Sequence, residues 1–279
     1  MDEIMNVDTE FSAVVPEIWS TSWYPTLVQK LPWNGSVGRD QEKVIQALGD
    51  TVNITTFPQF GEATDLPEGS RNNAQKITLG TSQLLINTQT VQDFIVTKRA
   101  ERQSLDVQQK IMELAFYSIM KKMQKNIIAA VSPSTSAPDH VIPYDSGTTL
   151  ALADWIEAKD LLDEQDVAEM GRVAILDTAQ YNDLFNIAGF MSRDFVPNSD
   201  AMSQGMITTP VLGFTVKSTS VAEDACHFFS PEFLQLAVQE EPVPELFNLG
   251  VDGQRAKRVN MTVLYGIKQV DSTRVVKIA

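Results

Sequence analysis

The sequence is poor in cysteine and in long apolar runs. Cys226 is the only cysteine among 279 residues, which excludes an intrachain disulfide and fits a reducing compartment. No apolar run approaches the roughly 18 residues that a membrane-spanning helix requires, so we expect no membrane partner. The first ten residues, MDEIMNVDTE, lack the basic region of a signal peptide. These features together predict a protein that is made and assembled in a cytoplasm.

Positive charge is also scarce. The formal net charge is −14, which argues against a nucleic-acid-binding domain with a basic face. The bases nevertheless outnumber the acids between residues 98 and 125, whereas acids dominate residues 139–200. Two interpretations stay open. The two regions could attract each other between copies of the chain, or the charges could simply keep the surface soluble.

Recognisable catalytic and metal-binding motifs are missing. His140 lies in a proline-rich loop, and His227 follows Cys226 directly, so in a strand these two side chains would point to opposite faces. The acidic stretch 154–169 lacks the central glycine of a calcium loop and is predicted to form a solvated helix face. No glycine-rich phosphate loop, nucleophile elbow or dinucleotide fingerprint occurs. We therefore expect no catalytic residue, no cofactor and no metal.

The segment 49–97 has the pattern of a long extended arm. In GDTVNITTFPQF, Val52, Ile54 and Phe60 alternate with polar residues, as in a half-buried strand. A long polar stretch with Pro67 and Gly69 follows before the next strand-like run begins. Because an isolated two-stranded ribbon is marginally stable and has unpaired edges, we expect a neighbouring subunit to hold it.

Residues 98–131 contain the strongest helical pattern, with Ser104 or Asp106 as the candidate N-cap. Apolar side chains recur every four residues and predict a broad buried face, widened by a second row. The first row is Val107, Ile111, Ala115, Ile119, Met123, Ile127 and Val131, and the second is Met112, Phe116 and Met120. Four lysines lie mostly off this face: Lys110, Lys121, Lys122 and Lys125.

The remaining chain mixes helices and strands without regular alternation, which predicts an α+β fold. A second helix should follow Thr149 as its cap, with an apolar face of Leu152, Trp155, Ile156 and Leu162. Strands are predicted from Arg172 to Leu176, in FTVKSTSV, in HFFSPEFLQLAVQ, and in two terminal runs divided near Asp271. Near the N-terminus, Trp19 and Trp23 lie in an aromatic segment that either packs on its own core or is covered by another chain.

The order of these pieces resembles the major capsid proteins of tailed bacteriophages, which have the Hong Kong 97-type fold. The resemblance rests on GDTV at 49–52, the returning strand 81–96, Gln103 and Ser104 before the long helix, and Tyr265 and Gly266 near the C-terminus. It covers nearly the whole chain, and the order and spacing of the motifs carry it.

The resemblance implies four structural parts. These are an N-arm at 1–48, an extended hairpin called the E-loop at 49–97, a P-domain at 98–131 and 231–270 with a spine helix at 104–131, and an axial A-domain at 132–230 and 271–279. It further implies a structural protein without catalytic residues. Copies of the chain would form hexamers and pentamers in the icosahedral head of a double-stranded DNA phage, so the location would be the virion.

The implied contacts are between subunits and with DNA. The interface candidates are Trp19, Trp23, Val52, Ile54, Phe57, Phe60 and Ile86. The candidate basic patch, which could face packaged DNA or a neighbouring subunit, is Lys110, Lys121, Lys122 and Lys125. Further expected partners are a portal and a decoration protein. Only about a dozen residues precede VVPEIW, too few for a built-in scaffolding region, so we expect a separate scaffolding protein or none. DNA would be contacted without sequence specificity.

Two alternatives remain at this point. An encapsulin-type nanocompartment would have the same fold but enclose enzymes in place of DNA. An acidic cytoplasmic enzyme with an unrecognised carboxylate site would instead be a small oligomer with a deep polar pocket.

Overall fold

The protein has three α-helices, three short 3-10 helices and ten strands in the part of the chain that the computed structural model describes. The described residues are 31–42, 51–57, 63, 65, 67–69, 71, 76–97, 105–145, 147, 149–187, 205, 207, 209–221, 225–249 and 256–279. The α-helices are α1 (Leu105–Ala130), α2 (Leu152–Glu164) and α3 (Thr178–Asp183). The strands are β1 (Thr51–Thr56), β2 (Gly80–Leu85), β3 (Thr88–Thr97), β4 (Val141–Ile142), β5 (Val173–Asp177), β6 (Thr215–Thr219), β7 (Cys226–Phe229), β8 (Leu234–Leu249), β9 (Ala256–Gln269) and β10 (Val275–Ile278). The mixture confirms the predicted α+β class.

Strands β1 and β2 form a two-stranded antiparallel ribbon, as predicted. Its register runs from the pair Thr51 and Leu85 to the pair Thr56 and Gly80. We call residues 51–86, which include β1 and β2 and end at Ile86, the arm. Strand β3 follows after two residues but pairs with β9 in another sheet. Among the described residues of 49–97, the paired strands of the ribbon are therefore β1 and β2.

Helix α1 packs on a three-stranded antiparallel sheet of order β3-β9-β8. The predicted apolar row is confirmed at Ala115, Ile119, Met123 and Ile127, which are buried with Met261, Val263 and Tyr265 of β9. The prediction was wrong for Phe116, whose side chain is 43% exposed. Asp106 is also no N-cap, since it lies within the helix, and Ser104 lies outside the described residues.

A five-stranded mixed sheet of order β4-β10-β7-β5-β6 separates two hydrophobic cores. Alternate residues of one strand enter different cores, because successive side chains of a strand point to opposite faces. Phe228 packs with Trp155 of α2, whereas Phe229 joins the core that contains α1. The predicted strands at 172–176, in FTVKSTSV, after Ala225 and at the two ends of the terminal segment are thereby confirmed.

The start of α2 differs from the prediction in three ways. The N-cap is Ala151 and not Thr149, because the Asp154 carboxylate accepts a hydrogen bond from the Ala151 N–H at 2.7 Å. Asp154 also accepts one from the Asp145 N–H at 2.8 Å and is buried, so it is no part of a solvated face. Leu152 and Ile156 are 39% and 45% exposed, because the buried side of α2 runs through Trp155, Ala158 and Leu162.

Asp163 is a second exception to the predicted solvated acidic face. Its Oδ1 lies 2.7 Å from Nη2 of Arg172, whose side chain is only 1% exposed. The other acids of α2, Glu157, Asp160 and Glu164, are exposed as predicted.

Candidate assembly interface

The outer part of the arm exposes large apolar side chains. Phe57 is 79% exposed, Ile77 51% and Leu79 50%. Phe57 and Leu79 continue the two strands one residue beyond the last pair, Thr56 and Gly80. Among the described residues, these side chains form an exposed apolar surface, which is suited to a contact with another molecule.

The inner part of the arm packs on its own subunit. Leu84 and Ile86 are buried with Ala237 of β8, and Val52, Ile54 and Leu264 pack at the edge of this cluster. The predicted interface residue Ile86 is therefore 7% exposed and contacts its own chain. Val52 and Ile54 are half-buried, Phe57 is exposed, and Trp19, Trp23 and Phe60 lie outside the described residues.

A second exposed apolar surface lies on the three-stranded sheet, on the face opposite α1. Thr262 of β9 pairs with Val91 of β3 on one side and with Val243 of β8 on the other. Arg258 of β9 pairs in the same way with Ile95 of β3 and Phe247 of β8. Four of these side chains are exposed: Val91 44%, Ile95 63%, Val243 65% and Phe247 49%. We call Val91, Ile95, Val243 and Phe247 the outer sheet patch.

Sequence reasoning missed the outer sheet patch, Ile77 and Leu79. The apolar residues of β3 alternate with Thr90, Gln92 and Phe94, and those residues face α1. That alternation shows that β3 has two different faces, but it does not show which of them packs against α1. Leu79 directly precedes Gly80, which pairs with Thr56 in the structure, so it lies just beyond the last pair of the ribbon.

The basic patch on α1 is partly exposed. Lys110, Lys122 and Lys125 are exposed and Lys121 is half-buried. Lys110 forms an ion pair with Glu113 at 3.0 Å, so its charge is already partly balanced. Lys121 and Lys125 lie one turn apart on the helix, which puts their charges side by side.

The chemistry around Cys226 and His227 is that of a buried core. Burial raises the pKa of the Cys226 thiol to about 12, and the Tyr144 hydroxyl lies 3.5 Å from its sulfur. Burial also lowers the pKa of His227 to about 3. The predicted placement on opposite faces is confirmed, since Cys226 belongs to the core with Phe228 while the His227 ring contacts Trp33. A thiol that stays protonated is no nucleophile at neutral pH.

The described part of the chain contains neither a candidate metal site nor a candidate membrane-spanning helix. No cluster of three or more histidine, cysteine, aspartate or glutamate side chains there could hold a metal ion. No helix in that part has the length and apolar character to cross a membrane.

Residues 41–279 match a protein-family model described as phage capsid protein. The fold is similar to that of the cyanophage Pam1 capsid asymmetric unit, with 15% identity, a TM-score of 0.74 and coverage of 100% of this chain and 98% of the other. It is similar to the capsid of cyanophage P-SCSP1u, with 11% identity, a TM-score of 0.71 and coverage of 95% and 93%. A structure from Mycobacterium phage Che8 matches with 19% identity, a TM-score of 0.69 and coverage of 95% and 96%.

No curated protein matches the sequence. The family match favours a viral shell over the nanocompartment and indicates a structural role in place of an enzymatic one. With 239 consecutive residues matched out of 279, from 41 to 279, the chain belongs to the phage capsid protein family and is a major capsid protein of the phage head shell.

Proposed function

We propose that this subunit has the Hong Kong 97-type fold and closes the head of a tailed, double-stranded DNA phage by laying its arm over a neighbouring copy. The observation that carries the proposal is the contrast along the arm. Its inner part is buried on its own subunit, while Phe57, Ile77 and Leu79 at its outer part are exposed. Burial of such side chains gains about 25 cal/mol for each Å² of apolar surface removed from water.

The outer sheet patch is the proposed receiving surface. It is apolar, lies on a flat sheet face and contains an ion pair between Arg258 and Asp93 that a polar part of an arm could meet. A stable contact of this kind needs more than about 1,000 Å² of buried surface. The arm of one copy and the patch of the next together offer seven exposed apolar side chains toward that area.

The predicted division of the chain belongs to this proposal. The proposed parts are an N-arm at 1–48, an E-loop at 49–97, a P-domain at 98–131 and 231–270 whose spine helix is α1, and an A-domain at 132–230 and 271–279. The three-stranded sheet with α1 would form the body of the P-domain, and the five-stranded sheet with α2 and α3 that of the A-domain. Strand β3 lies within 49–97 but pairs with β9, so it would belong to the P-domain sheet and only β1 and β2 to the hairpin of the E-loop.

The proposed assembly follows from the family. Copies form hexamers and pentamers in the host cytoplasm, with a portal, a separate scaffolding protein and a decoration protein as partners. The basic patch of α1 is proposed to face the packaged DNA, which it would contact through phosphate charges without reading sequence. Acidic surfaces of neighbouring subunits are the competing target of the same lysines.

The arm contact is tested by placing charge at its outer part. The double variant Phe57→Asp with Leu79→Asp should leave the free energy of unfolding of the isolated subunit within about 0.5 kcal/mol, because both side chains are exposed. Closed shells, counted by electron microscopy and sedimentation, should be lost. Phe57→Tyr, which keeps the ring, should assemble normally. Normal shell yield from the double aspartate variant would contradict the proposal.

A further inference from the structure

Gly266 of β9 lies directly beneath the base of the arm. A Cβ atom at this position would stand 2.3 Å from the carbonyl oxygen of Leu85, 2.9 Å from its carbonyl carbon and 3.2 Å from Cα of Ile86. All three are backbone atoms, so no rotation of a side chain could relieve the collision. An ordinary contact between carbon and a carbonyl oxygen is about 3.3 Å or longer, so the arm would have to move by about 1 Å.

The glycine is not required by its own backbone conformation. Gly266 is absent from the described residues with positive φ, which include Gly69, Gly147 and Gly171. It lies within a regular strand and pairs with Ala237 of β8 on one side. Because glycine weakens a strand interior, the requirement for it here comes from the close approach of another part of the backbone.

The same place is the fixed end of the arm. Leu84, Ile86 and Ala237 are buried around it, whereas the arm beyond Thr56 and Gly80 has exposed apolar side chains. The ribbon from the pair Val52 and Leu84 to the pair Thr56 and Gly80 spans four residue steps, or about 13 Å at 3.3 Å for each step. A small tilt at the base is therefore enlarged at the outer end.

We propose that Gly266 is a positioning residue for shell assembly, because the missing side chain lets the base of the arm lie on β9 and thereby fixes the direction in which the arm leaves the subunit. This inference rests on the proposed contact between the arm and a neighbouring copy. Gly266→Ala keeps the three-stranded sheet and lifts one end of the arm. If the arm is lifted by about 1 Å at one end of a contact two residues (about 6.6 Å) long, it tilts. Over the roughly 13 Å to the outer part of the ribbon, this tilt displaces Phe57 by about 2 Å.

The direction of the arm can be measured in isolated subunits. Spin labels on Thr55→Cys and Ala129→Cys would report the distance from the arm to the end of α1, which packs on the sheet that contains Gly266. The native Cys226 is buried and would stay unlabelled in the folded subunit. Gly266→Ala should shift the mean distance by about 1.5 Å, since Thr55 lies about 10 Å from the base, and should reduce the yield of closed shells. Gly35→Ala, at a glycine with no atom within 4 Å of the added carbon, should do neither.

A second variant approaches the same contact from the arm. Ile86→Ala removes packing at the base without touching Gly266, and it should broaden the distance distribution. Unchanged distances in Gly266→Ala, or an unfolded Gly266→Ala subunit, would overturn the inference, the latter because the sheet itself would then need the glycine. Normal assembly of the double variant Phe57→Asp with Leu79→Asp would instead overturn the proposed contact between the arm and a neighbouring copy, whatever the spin-label distances in Gly266→Ala are.

Discussion

The indole ring of Trp33 stacks on the ring of Phe229, with 5.0 Å between the ring centroids and 13° between the ring planes. The same indole meets the His227 ring edge to face at 5.1 Å. The next residue, Asn34, donates a hydrogen bond from Nδ2 to the carbonyl oxygen of Met120 in α1 at 3.0 Å. The short segment at 33–34 therefore joins the five-stranded sheet to α1.

Trp33→Ala should destabilise the subunit strongly. The side chain is fully buried, and truncation of a buried tryptophan costs about 3–5 kcal/mol through lost burial and the cavity that it leaves. Urea denaturation of isolated subunits measures this free energy. Met170→Ala is the control, because Met170 is 92% exposed and its truncation should change stability by at most about 0.5 kcal/mol. A loss below about 1 kcal/mol for Trp33→Ala would show that the segment does not hold the two parts together.

Acid should destabilise the subunit through His227. Burial lowers the pKa of His227 to about 3, so the folded state disfavours the charged ring, and the neighbouring Lys277 adds to this. The unfolded chain titrates near the ordinary pKa of about 6.5. The stability is therefore complete above pH about 6.5 and falls as the pH drops toward 3, by at most about 1.4 kcal/mol for each pH unit.

His227→Phe and His227→Gln both remove this titration and should flatten the fall of unfolding free energy between pH 6 and 4. Denaturation at several pH values gives the slope for each variant. If both variants keep the slope of the unmodified protein, other groups cause the acid sensitivity.

Asp163→Asn should cost stability by leaving Arg172 without its anion. The Arg172 guanidinium also donates to the carbonyl oxygens of Ala168 and Val167 and lies over the Phe214 ring. Although burial alone would raise it, hydrogen bonds from Lys159 and Arg172 hold the pKa of the Asp163 carboxyl below its ordinary value. Asp163 is one-third exposed, so we expect a loss of about 1–3 kcal/mol and not the full cost of a buried unpaired charge.

Lys159→Met is the matched control for that prediction, since it removes the more exposed partner of the same carboxylate. Its loss should stay within about 0.5 kcal/mol. Thermal denaturation of both variants gives the comparison, and equal losses would mean that the buried guanidinium is not the decisive partner.

Reversing the charge of the basic patch should weaken retention of DNA. Lys122→Glu with Lys125→Glu replaces two exposed cations that we propose to face phosphate groups. Empty shells should form normally, while the fraction of DNA-filled particles falls and DNA release by heat becomes less sensitive to salt. Lys122→Arg with Lys125→Arg keeps both charges and should behave like the unmodified protein. A failure to form empty shells would point to a contact between subunits instead.

Local sequence pattern was sufficient for most of the elements, though not for the two-residue strand β4, which lies in a segment with the composition of a loop. The alternation at Val52 and Ile54 predicted β1, and the four-residue spacing from Ala115 to Ile127 predicted the buried row of α1. Both patterns are informative because side-chain direction repeats every two residues in a strand and every 3.6 residues in a helix. The buried face can therefore be predicted from the spacing of apolar residues close together in the sequence. The adjacent placement of Cys226 and His227 likewise determined that they face opposite cores.

The burial of individual polar residues and the exposure of individual apolar ones were decided by the tertiary structure. Asp154 looked like one more acid of a solvated helix, and only the N–H groups of Ala151 and Asp145 around it make a buried carboxylate stable. Leu152 and Phe116 fitted apolar rows but are 39% and 43% exposed in the described part of the chain.

The sequence by itself thus determined the strands, the long helix and the family resemblance, because these depend on local periodicity and on the order of motifs. Only the tertiary structure decided that β3 leaves the ribbon to pair with β9, and that the backbone at Leu85 lies on Gly266. Those contacts join residues far apart in the chain, and their energies depend on which surfaces meet, which no local pattern records.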